Sequence, residues 1–248
     1  VIAPLHVLDN PVWSALTGPQ SGHSEVVGDV ARYRPEMSLF GAFADLPGPR
    51  HWTAMAELVG PGGVVITTGP TGPPPQGWTV EFDGEGVQMT GESVDVARPV
   101  DVPEGTEIVR LGADDVADML ELVALTRPGP FAPDTWELGG YVGVRRGGRL
   151  VAMAGERMRP VGWAEISAVA THPDHRREGL GELLVRVVAA GIRARGELPL
   201  LHASSDNTSA IRLYEAMGFA FRRTARFQAV RAQGVPSDGD PDPVTPHH

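Results

Sequence analysis

The sequence predicts an α+β chain in which a mixed, mostly antiparallel sheet is flanked by helices. Three observations carry that expectation. Glycine and proline number 31 and 23 among 248 residues, which favours many turns over long bundled helices. The apolar share of 42% is large enough for extended cores. From Thr106 onward, strand-like and helix-like periods follow one another in a regular order. The length suits two ordinary domains, because single domains cluster near about 100–150 residues. We read an N-terminal half over 1–92, a linker over 93–105, a second domain over 106–232 and a tail over 233–248.

In the first half, scattered helical patterns occupy 1–70, and "GGVVITTG" at 62–69 reads as one buried strand between turn signals. The block "GPTGPPPQG" at 69–77 is a loop by its chemistry, and "WTVEFDGEGVQMTG" after it alternates around a turn in the manner of a hairpin. The stretch "SVDVARPVDVPEG" at 93–105 sustains no period and forms the linker.

The second domain opens with "EIVRLG" as a strand and "ADDVADMLELVALTRPG" as an amphipathic helix. Asp114 and Asp115 suit the positive end of that helix dipole, and Pro128-Gly129 stops it. "PFAPDTWELGG" is a short irregular helix or loop. "YVGVRRGGRLVAMAGERM" gives two strands around Gly147-Gly148, and "AEISAVATHP" a third, ended by Pro173. In "GLGELLVRVVAAGIRARG" the residues Leu180, Leu183, Leu184, Val187, Val188 and Ile192 recur at helical intervals, which predicts a helix with one buried face. "LPLLHAS" reads as a strand, "NTSAIRLYEAMGF" as a helix ended by Gly218, and "FRRTARFQAVR" as a terminal strand. The acidic, proline-rich tail matches no ordered element.

Composition narrows the function. With no cysteine, thiolate catalysis, disulfides and cysteine-based metal sites are excluded, and a reducing cytoplasm is the expected location. The net charge of -10 argues against nucleic acid as a partner. The longest apolar run, near 183–192, is interrupted by Arg186, so no membrane association is expected. Nothing in the sequence speaks to oligomeric state.

The segment "HRREGLGELL" at 175–184 places charges and two glycines at a helix start, although glycine weakens helices by about 1 kcal/mol relative to alanine. Strand, glycine turn and helix N-terminus together form an anion site, where unpaired backbone N–H groups point outward. Gly179 and Gly181 would let a pyrophosphate approach the main chain, and Arg176 and Arg177 would add charged hydrogen bonds. A glycine-tolerant helix start with solvated arginines is the competing reading. A Rossmann fingerprint would need Gly or Ala where Leu184 stands, and a P-loop would need a Gly-Lys-Ser/Thr ending that the chain lacks.

The motif Arg-x-x-Gly-x-Gly at 176–181, followed by a strand and by N-x-x-A-I-x-L-Y-E-x-x-G-F from Asn207 to Phe219, resembles the GNAT superfamily of N-acetyltransferases. The resemblance covers about 106–230, and the segment 145–219 is most similar to the branch related to glycine N-acyltransferases. It implies the GNAT acyl-CoA N-acyltransferase fold as two tandem halves, the first a degenerate and non-catalytic copy. It further implies acetyl-CoA as co-substrate, no metal, and direct transfer of the acetyl group to a primary amine of a small molecule or peptide.

Carried over residue by residue, Val169, Ala170 and Thr171 would offer backbone groups to the pantetheine amides. Arg176, Arg177, Glu178, Gly179, Leu180 and Gly181 would cradle the pyrophosphate. Asn207 would bond the pantetheine arm or simply cap the next helix. Tyr214 falls on the family tyrosine near the thioester sulfur, where a phenol can give a proton to a departing thiolate. Attack needs a neutral amine, and Glu165 is the implied base, with Glu156, Asp174 and His202 as lesser options and an ordinary strand carboxylate as the alternative.

Phe131 and Trp136 lie where the family's acceptor-side loop should be. His172 and His175 lack a third ligand, and Ser204 and Ser205 lack a nucleophile elbow, so neither metal nor serine-hydrolase chemistry is expected. The rival reading of the whole chain is a CoA-binding or protein-interaction module without turnover.

Overall fold

A computed structural model describes residues 6–97, 102 and 105–233. The expected linker lies partly outside these residues, and the expected tail lies outside them apart from Gln233. The first half runs from α1 (Pro11–Leu16) through β1 (Ser24–Val27), β2 (Val30–Tyr33), β3 (Phe40–Phe43), α2 (Pro49–Val59) and β4 (Val64–Thr67) to β5 (Trp78–Thr90). The second contains β6 (Glu107–Leu111), α3 (Val116–Thr126), β7 (Tyr141–Arg146), β8 (Arg149–Glu156), β9 (Trp163–Thr171), α4 (Leu180–Ala194), β10 (Leu198–Ser204), α5 (Thr208–Ala216) and β11 (Ala220–Ala232).

All strands join one 11-stranded sheet in the order β1-β2-β3-β4-β11-β5-β10-β9-β8-β7-β6. Two neighbouring pairs are parallel, β3 with β4 and β9 with β10; the remaining ladders are antiparallel. The architecture is therefore the mixed, mostly antiparallel α+β arrangement that the sequence predicts. Read from either end, an antiparallel run leads to a parallel pair and then to a long strand from the other half of the chain. β11 pairs with β4, and β5 pairs with β10.

Two expectations are corrected. Residues 78–91 do not fold back as a hairpin, because β5 runs straight through "DGEG" and pairs with β11 along its length. The glycines serve close approach rather than a turn: a Cβ on Gly84 would lie 2.5 Å from the Phe82 ring, and one on Gly86 2.7 Å from the Ala203 carbonyl. β1, β2 and β3 interrupt the region expected to be helical in pattern. Each spans 4 residues, and β3 is buried throughout, so neither shows a readable alternation.

The sheet separates two cores in the second half. On one face, Leu180, Leu184, Val188 and Ile192 of α4 pack with Ile166, Leu201 and Tyr214. Each fully buried aliphatic side chain there contributes roughly 1.5–3 kcal/mol. On the other face, Met119 and Leu122 of α3 pack with Tyr141, Met153, Ala168 and Ala170. The first half closes over this second side: Val12, Tyr33, Met37 and Phe40 share a core with Leu138 and Met158. Gln20 ties the halves, its Nε2 donating to the carbonyls of Leu138 (3.0 Å) and Arg157 (2.7 Å).

Candidate functional site

The two central parallel strands part company. β9 and β10 pair from Leu198 opposite Trp163 to Leu201 opposite Ile166, after which β9 continues to Thr171 and β10 to Ser204 without pairing to each other. A bulge against β8 accompanies the parting: Gly155 faces Ser167 and Met153 faces Ala170, with Ala168 at φ +51°. A non-glycine residue in the left-handed region costs roughly 1–2 kcal/mol, and such strain concentrates at functional sites.

Alternation along β9 decides which backbone groups face the opening. The His172 N–H donates to the Val151 carbonyl of β8 at 2.8 Å, so Ala170 also turns its backbone to β8, while Val169 and Thr171 turn theirs to the cleft. The backbone groups of Ala170 are thus turned to β8, on the side away from the cleft.

β9 feeds a loop that ends at α4. Arg177 has φ +68° and Gly179 φ +78°, and the N–H groups of Arg177 to Glu182 donate to no backbone carbonyl. Arg176 and Arg177 are exposed and form no ion pair among the described residues. A Cβ on Gly181 would meet only Thr171 Oγ1 at 3.8 Å and Val169 Cγ1 at 4.0 Å, so the space above it is open. Leu180 contributes its N–H alone, because its side chain is buried in the core. The Glu178 side chain is likewise engaged within the protein. Its carboxylate binds Arg146 at the end of β7 and approaches His175 Nδ1 at 3.2 Å, bracing the loop, and the Arg146 contact lowers its pKa.

Across the cleft, Asn207 caps α5, its Oδ1 accepting from the Ala210 N–H at 3.2 Å. Tyr214 lies on α5 in the same core as Ile166 and Leu201, edge-on to Phe219 at 6.0 Å. Burial raises its phenol to about 12, so it stays protonated at neutral pH.

On the opposite face, Glu165 is 1% exposed. Arg157 grips it with Nε–Oε2 at 2.9 Å and Nη2–Oε1 at 2.8 Å, and His202 Nδ1 lies 2.8 Å from Oε1. Burial alone would raise this carboxyl, but Arg157 and His202 outweigh it and hold the pKa near 2. Phe40, from the first half, stacks under the Arg157 guanidinium at 4.6 Å.

The tautomer of His202 follows from its neighbours. Arg222 donates to Gln88 Oε1 at 2.8 Å, which leaves Gln88 Nε2 to donate to the Leu8 carbonyl and, at 3.1 Å, to His202 Nε2. His202 then carries its proton on Nδ1 and donates it to Glu165. A carboxylate this strongly held as an anion is a weak base, and Arg157 and His202 tie Glu165 into the floor of the cleft. Arg157 escaped the sequence reading, since nothing in its local context distinguishes it from a solvated strand-end arginine.

The lesser candidates separate likewise. Glu156 is bound by Arg195 at 2.5 Å, and the Asp174 side chain is 81% exposed on the loop. Phe131 and Trp136 pack against the α3-side core beside Tyr141. Among the described residues no group of three metal-ligating side chains comes together, and no helix is long and apolar enough to cross a membrane.

Residues 141–228 match the family described as FR47-like protein. A putative acetyltransferase from the GNAT family of Novosphingobium aromaticivorans has a solved structure that aligns at TM-score 0.81 with 41% identity, covering 91% of this chain and 98% of that one. N-alpha-acetyltransferase RimI of Mycobacterium tuberculosis is 33% identical over 129 residues, 46% of this chain and 80% of that protein. This chain belongs to the GNAT family of acetyltransferases. A further similarity, to mycothiol acetyltransferase of Thermobispora bispora, is 39% identity over 61 residues, which is 24% of this chain and 20% of that protein's length. GNAT acetyltransferases use acetyl-CoA. The site fits it: unpaired N–H groups, two uncompensated arginines and an open glycine suit a pyrophosphate, and the parted strands suit an extended arm.

Proposed function

We propose that this GNAT protein transfers the acetyl group of acetyl-CoA directly to a primary amine of a small molecule or peptide. One observation carries the reading: the parted end of β9 leads through a single 3-10 turn, Pro173–His175, into a loop of unpaired N–H groups at the start of α4. Val169 and Thr171 orient the pantetheine arm, and Arg177 to Glu182 with the two guanidinium groups hold the pyrophosphate. Asn207 keeps its Nδ2 free for the arm while Oδ1 caps α5. Bound there, acetyl-CoA supplies an activated acetyl group. Holding it beside the acceptor removes several kcal/mol, up to about 7–11, from the barrier. Tyr214 donates a hydrogen bond to the departing sulfur as charge builds on it, and the proton shed by the acetylated nitrogen passes to the thiolate or to water.

Within the family we read the chain as related to the glycine N-acyltransferases, built from two tandem halves of which the first lacks the glycine loop. The mirrored order of strands, with β5 and β11 exchanged between halves, supports the tandem reading. The name of the RimI relative, an N-alpha-acetyltransferase, supports an amine acceptor.

Gly181→Asp tests the cradle. The open space at Gly181 accommodates the new Cβ, and an aspartate at a helix start suits the dipole, so the fold should persist. A carboxylate about 5 Å from a pyrophosphate of charge about -2 costs about 1.7 kcal/mol even in a water-like dielectric, roughly fifteen-fold in affinity. Calorimetry with acetyl-CoA should show at least that loss at an unchanged melting temperature; undiminished affinity would assign the glycine turn to packing. Heat of binding in the wild type without thiol release from any amine would mark a binding module instead.

A pH profile tests the fate of the amine's proton. Glu165 is ionised above about pH 2 and Tyr214 protonated to about 12, and both nitrogens of His202 are engaged. The amine must therefore arrive neutral, and kcat/KM should rise about tenfold per pH unit up to the acceptor's own pKa. A plateau at one pH shared by amines of different basicity would reveal a base on the protein.

A further inference from the structure

We infer that Arg146, at the end of β7, is a positioning residue for acetyl-CoA: it holds the Glu178 carboxylate off the N–H groups of the loop before α4 and so keeps that anion site free for the pyrophosphate. This role rests on the pyrophosphate cradle proposed above. Arg145 and Arg146 precede the Gly147-Gly148 turn between β7 and β8 and look in sequence like the solvated tip of a hairpin. Successive residues of a strand point to opposite faces, and each arginine reaches a different helix start. Arg145 Nη2 binds Asp115 at 2.6 Å and Asp118 at 2.7 Å, at the start of α3. Arg146 Nη1 binds Glu178 Oε2, one residue before the Gly179 N-cap of α4.

Both oxygens of Glu178 are held. Oε2 makes the Arg146 contact, while Oε1 lies 3.2 Å from His175 Nδ1, itself 3.1 Å from Arg146 Nη1. Arg146 Nη2 reaches Thr106 Oγ1 at 3.4 Å, which ties the guanidinium to the segment entering β6. Among the described residues, no other polar side chain of 176–181 bonds to a neighbouring element, since Arg176 and Arg177 are exposed without an ion pair.

A glutamate in that position has a competing place to go. Unpaired N–H groups at a helix start attract any carboxylate, and one carried by the same loop is always at hand. The backbone on either side of Glu178 is left-handed, with Arg177 at φ +68° and Gly179 at φ +78°, and the N–H groups of 177–182 donate to no backbone carbonyl. Released from Arg146, the carboxylate would turn onto those groups and fill the site with the chain's own charge. Short of filling it, an unneutralised carboxylate in the loop would still repel a pyrophosphate. Held by Arg146, its charge is compensated, and the guanidinium groups of Arg176 and Arg177 face the ligand unopposed.

The experiment is a double-mutant cycle of Arg146→Gln and Glu178→Gln, read by acetyl-CoA calorimetry and melting temperature. Arg146→Gln should cost about tenfold in affinity when residue 178 is glutamate and less than about threefold when it is glutamine. The pair is partly exposed, with side chains 24% and 33% accessible, so the melting temperatures should stay close to that of wild type. An equal loss in both backgrounds would make Arg146 a brace for the loop's shape alone and would overturn the inference, as would undiminished affinity in Arg146→Gln. An unfolded Arg146→Gln would overturn it too, because the arginine would then serve the fold. Gly181→Asp run in parallel separates the two readings. If it binds weakly while Arg146→Gln binds normally, the cradle stands and this inference falls; if both bind normally, the cradle falls and takes the inference with it.

Discussion

Glu165→Gln is expected to lower folding stability by about 3–5 kcal/mol, because it leaves the buried Arg157 guanidinium facing an amide. The loss should carry a pH signature. The folded carboxyl sits near 2, below its ordinary value, so its contribution is complete above about pH 5 and disappears as pH falls towards 2. A displacement of more than two pH units corresponds to about 3 kcal/mol. Denaturant unfolding across pH 7 to 3 should therefore show the wild type weakening steeply on the acid side. The Gln variant, already weak at pH 7, should lack that part of the slope. A stable Gln variant with wild-type unfolding and no turnover would restore Glu165 to the role of base.

That role illustrates what the sequence could and could not disclose. The position of Glu165 on its strand is readable, but its partners are not. Arg157 lies across a strand pair, His202 on the next parallel strand, and Phe40 in the other half of the chain. Whether a carboxylate is a base or an anchor depends on those contacts, and none leaves a local pattern. By contrast, the glycine loop and the α5 motif are legible, because their chemistry resides in consecutive residues whose type dictates backbone shape and capping.

The same division holds for the fold. The second half alternates long elements with strong periods, and its helices and strands follow the reading closely. In the first half, β1, β2 and β3 are too short to show a period, and the buried side chains of β3 remove the alternation that would expose it. Gly84 and Gly86 mimic a turn because glycine answers two demands, positive φ and close approach, and only the pairing with β11 reveals that the second applies. The exchange of β5 and β11 between halves is a long-range choice of partner, which no window of sequence records. Ala168 at the bulge is invisible for a similar reason, since alanine carries no preference for the left-handed region.

Tyr214→Phe is expected to reduce the rate of thiol release by about 10²–10⁴ while leaving acetyl-CoA affinity unchanged. The phenol is kept protonated by burial, with a pKa near 12, so at neutral pH every molecule holds the proton that a thiolate needs. A thiol of ordinary pKa, about 8.5, is a weaker acid than water-borne hydronium but a stronger one than this phenol. Transfer to the thiolate in its free state is therefore uphill, and the benefit lies in a hydrogen bond that strengthens as charge builds on the sulfur. Such a contact acts in the transition state more than in the bound ground state, which is why kcat should fall and affinity should not. Loss of the hydroxyl should also leave stability within about 0.5 kcal/mol, since packing against Phe219 and the α4 core survives in phenylalanine. Single-turnover mixing of the enzyme with acetyl-CoA and amine reads the chemical step free of product release. If that rate is unchanged, Tyr214 is a packing residue and the departing sulfur is served from elsewhere; if it falls without a change in affinity, the hydrogen-bond donor to the departing sulfur is on α5.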